Sequence, residues 1–184
     1  MIRSVLMGLL MTAAAAAVPA TGSPQAEEFH AVLSGFNEIG ELNKESGAIL
    51  TSGSGTLDLK LDRRNETLSF TLNFQNLTSP VTQAHIHFGK VHVAGGIMVF
   101  FCSNLPNPPA GTQPCPTNGG TVTGTLSAAN VQAIAGENVP AGDFDAIVDA
   151  LLSNTAYANV HTANFPSGEI RGQIVAATDR DADR

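Results

Sequence analysis

The stretch T56-L-D-L-K-L-D-R-R-N-E-T-L-S-F-T-L-N-F74 alternates apolar and polar side chains twice, with a short polar link between the two runs. Leu57, Leu59 and Leu61 fall on one side of an extended chain, and Asp58, Lys60 and Asp62 on the other. Leu68, Phe70, Leu72 and Phe74 repeat the pattern, with Ser69, Thr71 and Asn73 opposite them. Side chains alternate along a strand but recur every 3.6 residues along a helix. Period two over this length therefore predicts two half-buried antiparallel strands. The link Arg63-Arg64-Asn65-Glu66 is short enough to close them as a hairpin.

Outward from this hairpin, further short strands are expected at Phe29–Leu33, Gln83–Phe88, Ile97–Phe101, Gly120–Leu126, Tyr157–Thr162 and Glu169–Val175, separated by glycine and proline. Many short strands with turn signals between them predict an all-β fold, an antiparallel sandwich or barrel. One segment breaks the series. D143-F-D-A-I-V-D-A-L-L-S-N154 spaces Phe144, Ile147, Val148, Leu151 and Leu152 at helical intervals behind Asp143, a good N-cap. A short helix near residues 143–153 is expected across an open end of the β core, its apolar stripe serving as core packing.

Met1-Ile2-Arg3 gives a positive start, Ser4 to Val18 an alanine-rich apolar run, and Val18-Pro19-Ala20 the small residues a signal peptidase reads. That is the layout of a signal peptide over residues 1–20, and it is shorter than the roughly 20 residues that span a bilayer. A secreted, periplasmic or cell-surface protein is expected, with no membrane span once the signal is removed. Residues 21–27 read as a polar lead-in, 28–176 as one β domain and 177–184 as a disordered charged tail. The full chain has nine basic and 16 acidic residues; losing Arg3 leaves eight against 16, a net charge of −8. Lys44, Lys60, Arg63, Arg64 and Lys90 are scattered and form no basic stripe, which argues against nucleic acid or an anionic membrane as partner. Asn65-Glu66-Thr67 and Asn76-Leu77-Thr78 are formal glycosylation sequons, relevant only in a host that glycosylates exported proteins.

Cys102 and Cys115 bracket a proline- and glycine-rich segment, and in an exported chain such a pair reads as a disulfide closing one loop. The five histidines are more suggestive. In A84-H-I-H-F-G89, if Ala84, Ile86 and Phe88 face the core, His85 and His87 share the outer face about 6.5–7 Å apart at Cα. His161 shares a face with Tyr157 and Asn159. If the two strands are neighbours, three histidines form one exterior patch, with His92 as a candidate fourth. Imidazole-only sites suit copper and zinc. The competing reading is structural, with the rings hydrogen-bonded to loop carbonyls and His161 bracing residues 163–169. Both stay open at this level. Glu169 and Arg171 flank Ile170 on one strand face, and with Glu38 they are candidates for a partly buried ion pair pinning the last strand, or for an acid/base pair. No G-x-S-x-G, H-E-x-x-H or phosphate-binding glycine loop is present, so no catalytic residue and no organic cofactor is expected.

Residues 33–62, 81–101 and 124–174 together resemble the CHRD domain, the module named after chordin and found in many exported bacterial proteins. The most specific part is Asn159-Val160-His161-Thr162 followed by Pro166-Ser167-Gly168-Glu169-Ile170-Arg171-Gly172-Gln173; Ala84-His85-Ile86-His87 and Asn37-Glu38 fit the same pattern. Ala94-Gly95-Gly96 stands where the family usually has Asn-Gly, His92 is added, and the cysteine-bracketed loop looks like an insertion. The resemblance implies a β-sandwich or barrel, immunoglobulin-like in general character, in an extracellular or cell-surface module without established enzymatic activity. The expectation is thus a non-catalytic exported binding or structural module, whose partner is another surface protein or a second copy. The alternative is a copper or zinc protein, similar to the copper and zinc superoxide dismutases only in its H-x-H pair on a strand and its all-β setting.

Overall fold

The computed structural model describes residues 27–40 and 46–177. The expected signal peptide over 1–20, most of the lead-in and the tail beyond Ala177 lie outside the described residues. The strands are β1 (Glu27–Ser34), β2 (Ser54–Asp62), β3 (Thr67–Gln75), β4 (Val81–Phe88), β5 (Ile97–Ser103), β6 (Gly120–Ser127), β7 (Ala156–Thr162), β8 (Ile170–Gln173) and β9 (Val175–Ala176). All pair antiparallel in one sheet of order β5-β4-β7-β8-β1-β2-β3-β6, with β9 added on β1. The sheet curls until its edge strands β5 and β6 approach each other, so it nearly closes into a barrel.

The hairpin read from the sequence is present in the predicted register, with Leu57 opposite Leu72, Leu59 opposite Phe70 and Leu61 opposite Leu68. Each of these six side chains is buried. Burying a Leu or Phe contributes about 1.5–3 kcal/mol relative to exposure, so this face is a large share of the core. Glu66 takes a left-handed conformation to turn the chain (φ 50°). Phe29, Ala31 and Leu33 of β1, Val122 and Leu126 of β6, and Ile86 of β4 complete the barrel interior.

The helix α1 (Phe144–Leu152) begins where expected, with the Asp143 carboxylate accepting from the Ala146 N–H. Phe144, Ile147, Val148, Ala150 and Leu151 are buried, whereas Leu152, expected on the same stripe, is 51% exposed. The helix ends at Leu152, so the stripe stops one residue short. The strand expected over Glu169–Val175 is split. Ile174 interrupts it, and its N–H is taken by the Ala156 carbonyl at 2.9 Å. Cys102 and Cys115 form the expected disulfide. Its loop is latched by Asn104, whose amide donates to the carbonyls of Val81 and Cys115 and accepts from the Cys115 N–H.

No helix among the described residues is long and apolar enough to cross a membrane.

Candidate metal centre

Strand β4 lies between β5 and β7, and β7 lies between β4 and β8. In the β4–β7 register His85 stands opposite Asn159, His87 opposite Tyr157 and Gln83 opposite His161. His161 is therefore diagonal to His85 on the same face, within reach of its ring. The three rings do converge: centroids are 5.3 Å apart for His85–His87, 4.8 Å for His85–His161 and 6.0 Å for His87–His161. One nitrogen from each lies within 4.8 Å of the others. A common point then lies within about 3 Å of all three, against about 2.0–2.1 Å for a metal–imidazole bond, so modest ring movement completes a site.

The cluster is not on the exterior, as strand alternation alone predicts. His85, His87 and His161 are 0%, 8% and 6% exposed. Every residue of β7 is buried, on both faces. The reason is a second, polar layer outside the sheet, closed by loops. The Gly95 carbonyl from the β4–β5 loop reaches His87 Nδ1 at 2.9 Å, and the Pro166 carbonyl from the β7–β8 loop reaches His161 Nδ1 at 2.8 Å. Glu38, from the segment after β1, accepts from the Asn159 side-chain amide in the same layer. His92 does not join the cluster. It is exposed in the turn of the β4–β5 loop, in a left-handed conformation (φ 62°).

A carbonyl oxygen only accepts, so the Nδ1 of His87 and of His161 carries the proton and donates. Each neutral ring then presents a bare lone pair at Nε2. Those two Nε2 atoms are buried without a hydrogen-bond partner, as are both nitrogens of His85. The Phe100 ring stands edge-to-face against His85 at 4.4 Å. Burial drives the His85 pKa down to about 2 and that of His87 to about 4, and it lowers His161 as well. Neutral imidazoles with fixed tautomers are what metal coordination needs. A carbonyl behind the non-coordinating nitrogen is the usual outer support of a ligand histidine.

The same layer holds the other residues singled out from the sequence, though not as an ion pair. Arg171 lies over the Tyr157 ring, 3.4 Å from its centroid, and its Nη2 donates to the carbonyls of Lys90 and Val93. Glu169 is fully buried and points elsewhere. Its carboxylate accepts from Thr51 Oγ1, Thr78 N–H, Thr78 Oγ1 and Thr162 Oγ1 at 2.6–3.0 Å. Among the described residues no salt bridge joins Glu38, Glu169 and Arg171. Glu38 feels the Arg171 charge only at longer range, and burial lifts its carboxyl to about 7.

Two side chains placed on the His161 face by the sequence were given no role there. Tyr157 stacks on His87, and Asn159 ties Glu38 to the Ile170 carbonyl. Their alternation with His161 on β7 was the available signal. Gly168 is needed beside them: its φ is 126°, and a Cβ there would come within 2.6 Å of both Asn159 Nδ2 and Glu38 Oε1.

The CHRD domain matches residues 29–174, most of the chain. No curated protein and no solved structure shows significant similarity to it.

Proposed function

The chain belongs to the CHRD domain family, and from that premise we propose that it is an exported, non-catalytic module that holds one transition-metal ion, copper or zinc, on His85, His87 and His161. The observation that carries this reading is that each of the three histidines has a buried ring nitrogen without a partner, in a cluster where one nitrogen from each ring lies within 4.8 Å of the others. Leaving a buried polar atom unsatisfied costs about 1–3 kcal/mol, and three in one place repel each other as well. A cation shared among them turns that cost into binding energy. Two of the rings are already oriented by carbonyls, and the donor set is of the type copper and zinc accept.

The residues that mark the family in this sequence gather around that point. Glu38, His85, His87, Asn159, His161, Gly168 and Arg171 all belong to the polar layer or touch it. Export is supported by the disulfide, which persists in oxidising compartments, and by the extracellular character of the family. Fractionating cells that express the full chain tests it, with the protein expected outside the cytoplasm and shortened near Ala20.

Metal analysis of the purified protein tests the site. One equivalent of copper or zinc per chain is expected, lost in His85→Ala and in His161→Ala. Binding no tighter than about 10 µM, or unchanged in both variants, removes the reading. It would leave the histidines as braces, a role the carbonyl bonds of His87 and His161 already perform.

A further inference from the structure

The charge balance of the polar layer restricts which ion the triad can take. All three candidate donors are neutral imidazoles, and no carboxylate or thiolate among the described residues joins them. Both cysteines are consumed by the disulfide. Arg171, separated from His87 by the Tyr157 ring, already places a positive charge on the same buried face, and the Glu38 carboxyl of that layer is engaged by the Asn159 amide and does not join the triad.

Transferring an ion from water into such a place costs free energy that rises with the square of its charge, so a dication costs about four times as much as a monocation. The repulsion from Arg171 doubles as well. Structural zinc sites offset this with a four-ligand, often anionic shell, and here three neutral donors are offered. We propose, resting on the metal-site reading above, that the His85–His87–His161 triad is a site for monovalent copper, three-coordinate and closed, which discriminates against Cu(II) and Zn(II). The site selects charge and coordination number together: three nitrogens around a d10 monocation need no fourth ligand and add only one positive charge to the layer.

The test is the midpoint potential of the copper-loaded protein together with anaerobic Cu(I) titration against a chromophoric chelator and a parallel Zn(II) titration. Cu(I) is expected at one equivalent, at least about 1,000-fold tighter than Cu(II). That ratio places the midpoint at least about 180 mV above the aqueous copper couple, at about 59 mV per tenfold for one electron. Arg171→Gln guards against effects of folding alone. Loosening of the site weakens Cu(I) and Cu(II) together, whereas removal of the buried charge favours Cu(II) selectively and lowers the midpoint. A midpoint at or below the aqueous couple, or Zn(II) bound as tightly as Cu(I), overturns the selectivity while leaving a metal site in place. Failure to bind either copper ion or Zn(II) overturns both readings.

Discussion

The phenol ring of Tyr157 lies flat on the imidazole of His87, with planes 4° apart and centroids 4.7 Å apart. The relationship follows from the register, which sets these residues opposite each other on β7 and β4. Tyr157 also accepts from the Gly95 N–H through its hydroxyl, while the Gly95 carbonyl takes the His87 Nδ1 proton. Tyrosine, loop and histidine thus form a closed circuit, with Arg171 stacked on the ring from the β8 side.

Cutting that circuit in two ways separates its parts. Tyr157→Phe keeps the stack and loses one hydrogen bond, and is expected to cost about 1 kcal/mol with little change in metal affinity. Tyr157→Ala removes the stacked face and leaves a cavity, costing about 3–5 kcal/mol. It frees the His87 ring, and metal affinity is expected to fall by about 10–100-fold, as for other losses of outer-shell support. Denaturant unfolding and metal titration of the two variants check this; equal affinities in both would mean that the stack does not position His87.

The triad also sets an acid limit on the metal-free protein. Burial holds His85 near 2 and His87 near 4, with His161 shifted the same way, while an unfolded histidine titrates at about 6.5. The folded state binds fewer protons, so the stability this provides is complete above pH 6.5 and drains away as pH falls toward the folded values. Each group gives a slope of up to about 1.4 kcal/mol per pH unit. The thermal midpoint is expected to drop steeply between pH 6.5 and pH 4. A flat profile over that range would show that the rings titrate as exposed histidines do.

Glu38 acts in the opposite direction. Burial raises its carboxyl from 4.5 to about 7, against the lowering effects of the Asn159 amide and the Arg171 charge. A group raised in the folded state contributes stability that is complete below its unfolded value of about 4.5 and is lost as pH climbs through 7. Glu38→Gln keeps the acceptor for Asn159 without the ionisation. The variant is expected to gain on the wild type between pH 4.5 and pH 7 and to level off above that, measured as the difference in thermal midpoint. A difference that stays constant across that range would place the Glu38 titration elsewhere.

The chain announced some of this plainly and hid the rest for a physical reason. Period-two runs at Leu57–Leu61 and Leu68–Phe74 specify strands and their buried face with no help from elsewhere, and Asp143 caps its helix through a bond three residues away. The meeting of His85, His87 and His161 was also legible, since it requires only that β4 and β7 be neighbours. Burial of the cluster was not. Its cover comes from carbonyls at Gly95 and Pro166 and from Glu38, which arrive from three separate loops, and alternation along one strand says nothing about them. For the same reason Glu169 looked like a partner for Arg171. Two residues apart on a strand suggests a shared face, yet Glu169 precedes β8 and is claimed by Thr51, Thr78 and Thr162, up to 118 positions distant in sequence.

Gly95 is the position where loop, core and candidate site are joined most tightly. A Cβ built there would sit 1.5 Å from the Phe88 carbonyl oxygen, and that oxygen is backbone and cannot swing aside. The tight return at Gly95-Gly96 lets the Phe88 N–H bond the Gly96 carbonyl while the Gly96 N–H reaches the Glu137 carboxylate. Gly95→Ala must therefore displace the loop, carrying the Gly95 carbonyl away from His87 and the Lys90 and Val93 carbonyls away from Arg171. The expected result is a stability loss of about 1–3 kcal/mol from strain and unpaired polar groups, with weaker metal binding. Gly136→Ala, where an added Cβ meets nothing within 4 Å, serves as the control and is expected to leave metal affinity unchanged. Should Gly95→Ala bind metal as the wild type does, the β4–β5 loop has no part in orienting His87, and the carbonyl at 2.9 Å is incidental to the site.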